Sequence, residues 1–136
     1  MTVTTIPFVE HLGIEQEKSS LYLTPSKKLE NHIGTLHASA QFALAETQSG
    51  LFLQTEFPDI GEVIPLLRSS NVSYKAPAVT TLTAKASMDE EVKSKFVEQF
   101  TKRGRATILV RVEIRDVNDV VTMVGEFKWF IQKNLR

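Results

Sequence analysis

Glu46 is a carboxylate set among small and apolar residues, in the run Ala40-Gln41-Phe42-Ala43-Leu44-Ala45-Glu46. An acid in such a place can take a proton from water as a general base, or attack a carbonyl carbon as a nucleophile. Upstream lies Asn31-His32-Ile33-Gly34-Thr35-Leu36-His37-Ala38-Ser39, a polar loop entering a helix. The first N–H groups of a helix have no partner inside it, and such donors suit a developing oxyanion. A helix beginning near Leu36 offers those of His37, Ala38 and Ser39. Asn31 can orient water or a carbonyl, or hold its own loop together. His37 can position the turn or act as a base, and lone histidines are commonly structural. Periodicity by itself makes Glu46 a solvated helix glutamate. Ser39, Phe42, Glu46 and Ser49 share a face distinct from the apolar stripe, free to meet solvent or a partner.

The elements that must hold these residues follow from spacing. Leu36, Ala40, Ala43, Leu44, Thr47 and Leu51 recur at helical intervals and form one mostly apolar stripe. The helix is expected from Leu36 to about Thr55, roughly 30 Å long, with Thr35 as its N-cap and an end before Pro58. Ile6 to Leu12 reads as a short helical or irregular lead-in that packs Phe8 and Leu12. Gly13 to Thr24 reads as a strand or hairpin arm, and Glu62 to Lys75 as a strand that Pro65 confines to a sheet edge or bulge. Val79 to Met88 and Arg105 to Arg115 alternate in polarity. Asp116-Val117-Asn118-Asp119 then turns the chain into a last strand, Val120 to Gln132. Ser87-Met88-Asp89-Glu90 reads as a capping box for a second helix, whose apolar face is Val92, Phe96, Val97 and Phe100. Half-polar strands joined by short turns make an antiparallel sheet with one covered face. The expected class is therefore α+β: about five antiparallel strands wrapped around one long central helix, with a smaller helix at the side, as a single domain over 1–136.

Composition excludes several function classes. Sixteen basic residues balance sixteen acidic ones, which argues against nucleic-acid partners and a basic membrane patch. There is no cysteine, hence no disulfide, thiolate ligand or cysteine nucleophile, as suits a cytoplasmic protein. No apolar run reaches membrane-spanning length, and Met1 to Thr5 lacks the regions of a secretory signal. His11, His32 and His37 have no metal-ligand spacing, so no metal is expected. Gly-rich phosphate loops and nucleophile-elbow serines are absent, and no cofactor is expected.

The order of these elements, with Asn31, Gly34 and His37 before the helix and an acid nine residues after the histidine, resembles the hotdog-fold acyl-CoA thioesterases. The phenylacetate-pathway and 4-hydroxybenzoyl-CoA branches are nearest. Val72-Ser73-Tyr74-Lys75-Ala76-Pro77-Ala78 is similar to that family's strand and turn after the helix, and the likeness spans nearly the whole chain. It implies a catalytic Glu46, oxyanion donors at His37, Ala38 and Ser39, and Asn31 as an orienting group. It also implies an acyl-CoA or similar thioester substrate, whose phosphates make Arg68, Lys75, Lys102, Arg103 and Arg105 candidate contacts. Where the family often has His-Gly-Gly, this chain has His37-Ala38-Ser39. That departure favours an alternative, a non-catalytic acyl-thioester-binding domain on the same fold, whereas the retained Glu46 favours a hydrolase. A hotdog dehydratase would need a paired histidine and acid, and ranks last.

A sheet around a helix leaves open edges, so a homodimer or dimer of dimers is expected. The donors and Glu46 are separated by seven to eight helical residues, roughly 11 Å. One chain cannot bring both to a single carbon, so each site is expected to be shared between two chains.

Overall fold

The computed structural model describes residues 2–135; Met1 and Arg136, the ends of the expected 1–136 domain, lie outside them. Six strands, one more than expected, form a sheet in the order β1-β2-β4-β5-β6-β3, with every neighbouring pair antiparallel. They are β1 (Glu15–Glu17), β2 (Ser20–Leu23), β3 (Val63–Tyr74), β4 (Leu82–Ser87), β5 (Arg105–Arg115) and β6 (Val121–Lys133). The extra strand arises because Gly13 to Thr24 folds back on itself, turning at Lys18, whose φ is 57°. The helices are α1 (Pro7–Leu12), α2 (Ala38–Glu56) and α3 (Glu90–Arg103), with short 3-10 turns at Val3–Thr5 and Lys27–Leu29.

β5 shows how pattern makes structure. Ala106, Ile108, Val110, Val112 and Ile114 are all buried, facing the helical side, while their alternating neighbours are exposed or half-buried. β6 supplies Met123, Phe127, Trp129 and Ile131 to the same face. Gly125 interrupts that row because the space is taken: a Cβ there would meet Val72 Cγ1 at 2.8 Å and the Phe127 ring at 2.9 Å. β3 lies at the sheet edge with Pro65 near its start, as expected, and its register slips between Leu67 and Ser69.

α2 runs for 19 residues with the sheet wrapped around it. The expected stripe is buried, and so are Gln41, Ala45, Gln48 and Ser49, because strands approach from more than one side. Ser49 therefore leaves the open face assigned to it. Its hydroxyl accepts from Trp129 Nε1 at 2.8 Å and donates to the Glu46 carbonyl at 2.6 Å.

α3 covers the sheet beside α2 through Phe96 and Phe100, and Phe96 packs on Phe57 with ring centroids 5.0 Å apart. Val97 is 45% exposed and does not join that face. The capping box is replaced by an N-cap at Asp89, whose carboxylate sits 3.7 Å from Arg111 instead of capping the helix. Ser87 stays in β4, paired with Arg111, and so cannot cap. The lead-in packs Val9, while Phe8 is 63% exposed. No helix among the described residues is long and apolar enough to cross a membrane.

Candidate active site

The entrance to α2 is built by a tight loop. Asn31 Oδ1 accepts from the N–H groups of Ile33 and Thr35, both at 3.0 Å, and Asn31 Nδ2 donates to Thr35 Oγ1 at 2.7 Å. Gly34 takes φ 81°, a left-handed conformation that strains any residue bearing a Cβ. Leu36 is extended, bridged to Glu30, and its N–H donates to the Ala78 carbonyl at 2.9 Å. The helix therefore cannot begin at Leu36 with Thr35 as cap. It begins at Ala38, and His37 is the N-cap.

That shift decides which donors are free. The His37 N–H is bonded to the Leu29 carbonyl at 2.8 Å, and the Ser39 N–H to His37 Nδ1 at 3.0 Å. Ala38 N–H has no partner among the described residues. Of the three expected donors, one is left unengaged among the described residues. His37 Nδ1 accepts a hydrogen bond, so its ring proton lies on Nε2.

Beside Ala38 is a concavity lined by Asn31, Gln41, Tyr74, Lys75 and Pro77. Tyr74 Oη donates to the Ala38 carbonyl at 3.3 Å, and partial burial raises its pKa, so the hydroxyl keeps its proton. Gln41 is 3% exposed, and its Oε1 is buried with no hydrogen-bond partner. Gln48, two turns on, shows what satisfaction requires: its Oε1 accepts from Leu21 N–H at 2.7 Å and its Nε2 donates to Ser19 O at 3.0 Å. An unpaired buried amide costs about 1–3 kcal/mol. Gln41→Met is therefore expected to raise the denaturant midpoint by a corresponding amount. A lowered midpoint would show that the amide is bonded in the folded protein.

Glu46 lies elsewhere. Its carboxylate is half-buried on the wall of a second cavity of about 1170 Å³, which it shares with Ser39 and Phe42. No side chain among the described residues pairs with it, and burial pushes its pKa above the ordinary 4.5. Ala38 and Glu46 stand eight residues apart on one helix, roughly 12 Å along its axis. One chain thus places the candidate acid in one concavity and the candidate donor in another.

The expected phosphate contacts do not cluster. Lys75 lines the concavity beside Ala38. Arg68 sits over the Phe130 ring, 4.4 Å from its centroid. Lys102 and Arg103 end α3, with Lys102 paired to Glu98 at 3.1 Å, and Arg105 starts β5 opposite Gln132. Gln41 and the Tyr74 hydroxyl were missed from sequence. A glutamine three residues from Leu44, on the buried side of the helix, was the available signal.

A family described as a domain of unknown function, DUF4442, matches residues 2–131. The chain belongs to that family. No curated protein matches the sequence. Among solved structures, this DUF4442 chain is similar to a Pseudomonas aeruginosa protein of unknown function described as a probable thioesterase. The identity is 23% and the TM-score 0.83, over 97% of this chain and 91% of that one. A Bacillus halodurans protein crystallised with CoA matches at 18% identity and TM-score 0.71, over 91% of this chain and 74% of that one. The Escherichia coli PaaI protein of the phenylacetic acid degradation operon matches at 14% identity and TM-score 0.66, over 92% and 83%. The DUF4442 chain has the hotdog fold.

Proposed function

We propose that the chain is a single-domain thioester hydrolase of the acyl-CoA thioesterase kind, working in the cytoplasm. The observation that carries this reading is Glu46: a half-buried carboxylate with a raised pKa and no side-chain partner, on the wall of a large apolar cavity. Support also comes from the fold, shared with a probable thioesterase and a CoA-bound protein. In this reading Glu46 takes a proton from water as the oxygen attacks the thioester carbonyl, the C–S bond then breaks, and the departing thiolate takes that proton from Glu46; alternatively, Glu46 attacks directly and expels the thiolate, forming a mixed anhydride that water cleaves to the free acid and the regenerated Glu46. In both routes the oxyanion is held by Ala38 N–H, and Asn31 keeps the loop that aims that donor. Lys75, which lines the same concavity, would meet a phosphate of the carrier in this reading.

The site is shared between two chains in this proposal, and β3 supports that arrangement. The Val63-Ile64-Pro65 end of β3 lines the Glu46 cavity, and the Tyr74 end lines the concavity beside Ala38. β3 pairs with β6 on one side only, so its other edge is open. Two such edges paired antiparallel about a two-fold would set the Tyr74 end of one chain beside the Val63 end of the other. The donor of one protomer would then face the acid of its partner. Light scattering at micromolar concentration is expected to give a dimer or tetramer; particles of only 15.3 kDa would overturn the arrangement.

Release of thiol from a panel of acyl-CoAs tests the activity. If the folded protein binds these thioesters without turnover, the non-catalytic binding domain replaces the hydrolase. Where turnover occurs, kcat/KM is expected to rise with pH through an inflection above the ordinary 4.5 of a glutamate, because the acid must be ionised to act and burial disfavours its ionised form. An inflection at or below 4.5 would mean that Glu46 is not the group whose ionisation limits the rate.

A further inference from the structure

The cavity that holds Glu46 carries information about the acyl group. Five elements and the 3-10 turn at Val3 line it: α1, α2, β3, β6 and, through Phe96, α3. Its wall includes Phe42, Leu53, Phe57, Trp129 and Ile131. Two donors along that wall are already satisfied. Thr47 Oγ1 donates to the Ala43 carbonyl at 2.6 Å, and Trp129 Nε1 donates to Ser49. The Trp129 N–H is thereby used up and Thr47 Oγ1 keeps only acceptor capacity, so neither donates to an occupant. Its volume, about 1170 Å³, is beyond the ~300–1,000 Å³ of an ordinary small-molecule site, and a single aromatic ring would leave most of it empty.

The cavity is also long. Its α2 wall runs from Ser39 to Phe57 with Glu46 partway along, and the arm from Glu46 to Phe57 covers eleven residues, roughly 16 Å. An extended alkyl chain advances about 1.25 Å per carbon, given C–C bonds of ~1.5 Å, so that length takes about thirteen carbons. We propose that this cavity binds the tail of a long unbranched acyl group, with the carbonyl end at Glu46 and the methyl end near Phe57. The inference rests on reading Glu46 as marking the reacting end; the tail site itself needs no chemistry.

Trp129 is the only tryptophan and lies in the wall, so its fluorescence reports occupancy of the intact protein directly. Straight-chain primary alcohols of six to sixteen carbons are suitable probes, being neutral and free of any carrier. Each methylene that enters should tighten binding about fourfold, until the gain stops near thirteen carbons. Gly50 lies one turn beyond Glu46, and a Cβ there would rest against the Trp129 ring at 3.6 Å. Gly50→Leu should act as a wedge and stop the gain several carbons earlier, while Gly50→Ala should leave the limit nearly unchanged. A Kd that does not depend on chain length in the parent protein, or 2-phenylethanol binding as tightly as dodecanol, would overturn the proposal. So would absence of any alcohol binding, as expected if a second copy of the chain fills the cavity. If the series binds as described while no acyl-CoA is hydrolysed, the tail site stands and the hydrolase reading falls.

Discussion

Glu46→Gln is expected to lower turnover of a cleaved acyl-CoA by about a hundredfold or more, and to leave the protein at least as stable as its parent near neutral pH. The two effects have one cause. Burial holds the Glu46 pKa above the ordinary 4.5, so the folded state favours the neutral acid. Its stabilising contribution is complete below the unfolded-state pKa and is lost as pH rises through the folded-state value. At neutral pH the parent protein therefore carries a partly desolvated carboxylate with no side chain among the described residues to offset it. Glutamine keeps the size of the side chain and removes that charge. It also removes the basicity that either proposed route needs. Melting curves between pH 4 and 8 should converge for parent and variant at the acid end, with the variant the more stable as pH rises. Undiminished turnover would reassign Glu46 to a structural role. Lost turnover together with a marked loss of stability at neutral pH would mean that the glutamine disturbs the fold, and that burial is not what raises the parent's pKa.

The pairing of lost activity with retained stability is what separates a site residue from a packing residue, and it bears on what the sequence could reveal. The strands were legible because β4 and β5 alternate in polarity and every apolar member of the β5 row from Ala106 to Ile114 that faces the helices is buried. Pro65 correctly placed β3 at an edge. The long helix was legible from its stripe, but its first residue was not. Leu36 is drawn into an extended bridge by Glu30 and by the Ala78 carbonyl, a contact across 42 residues that no local pattern encodes. From that shift follow the true cap at His37 and the engagement of the Ser39 N–H. Ser49 was misplaced for a similar reason: Trp129 reaches it from a strand 80 residues away. Gln41 escaped notice because hydrogen-bond satisfaction is a property of the assembled fold; Gln48, the same residue type on the same helix, found partners and Gln41 Oε1 did not. The basic residues were chosen by charge alone, and the fold scatters them along the sheet and the end of α3.

Ala38→Pro should be the sharper probe of the donor. Ala38 is the first residue of α2, where proline is well tolerated because its missing N–H would be unpaired in any case. His37 precedes it with φ −61° and ψ 138°, the extended conformation that a following proline requires. The substitution thus deletes one unengaged N–H and disturbs no hydrogen bond of that N–H among the described residues. Loss of a single oxyanion donor typically costs ~10²–10³ in kcat, and we expect a fall of that size with an unchanged melting temperature. Asn31 is better left in place, since its side chain ties Ile33 and Thr35 into the loop and its removal would move the donor instead of deleting it. Glu46→Gln and Ala38→Pro then make a complementary pair. Mixed under conditions that exchange subunits, they form heterodimers in which one site has lost both groups and the other keeps Glu46 from the proline chain and Ala38 N–H from the glutamine chain. Statistical mixing makes half the dimers heterodimers with one intact site each, so activity should return to about a quarter of the wild-type level. If each site were confined to one chain, every site in the mixture would carry one lesion. Verified heterodimers would then stay as inactive as their parents, and the facing of one protomer's acid with its partner's donor would be wrong.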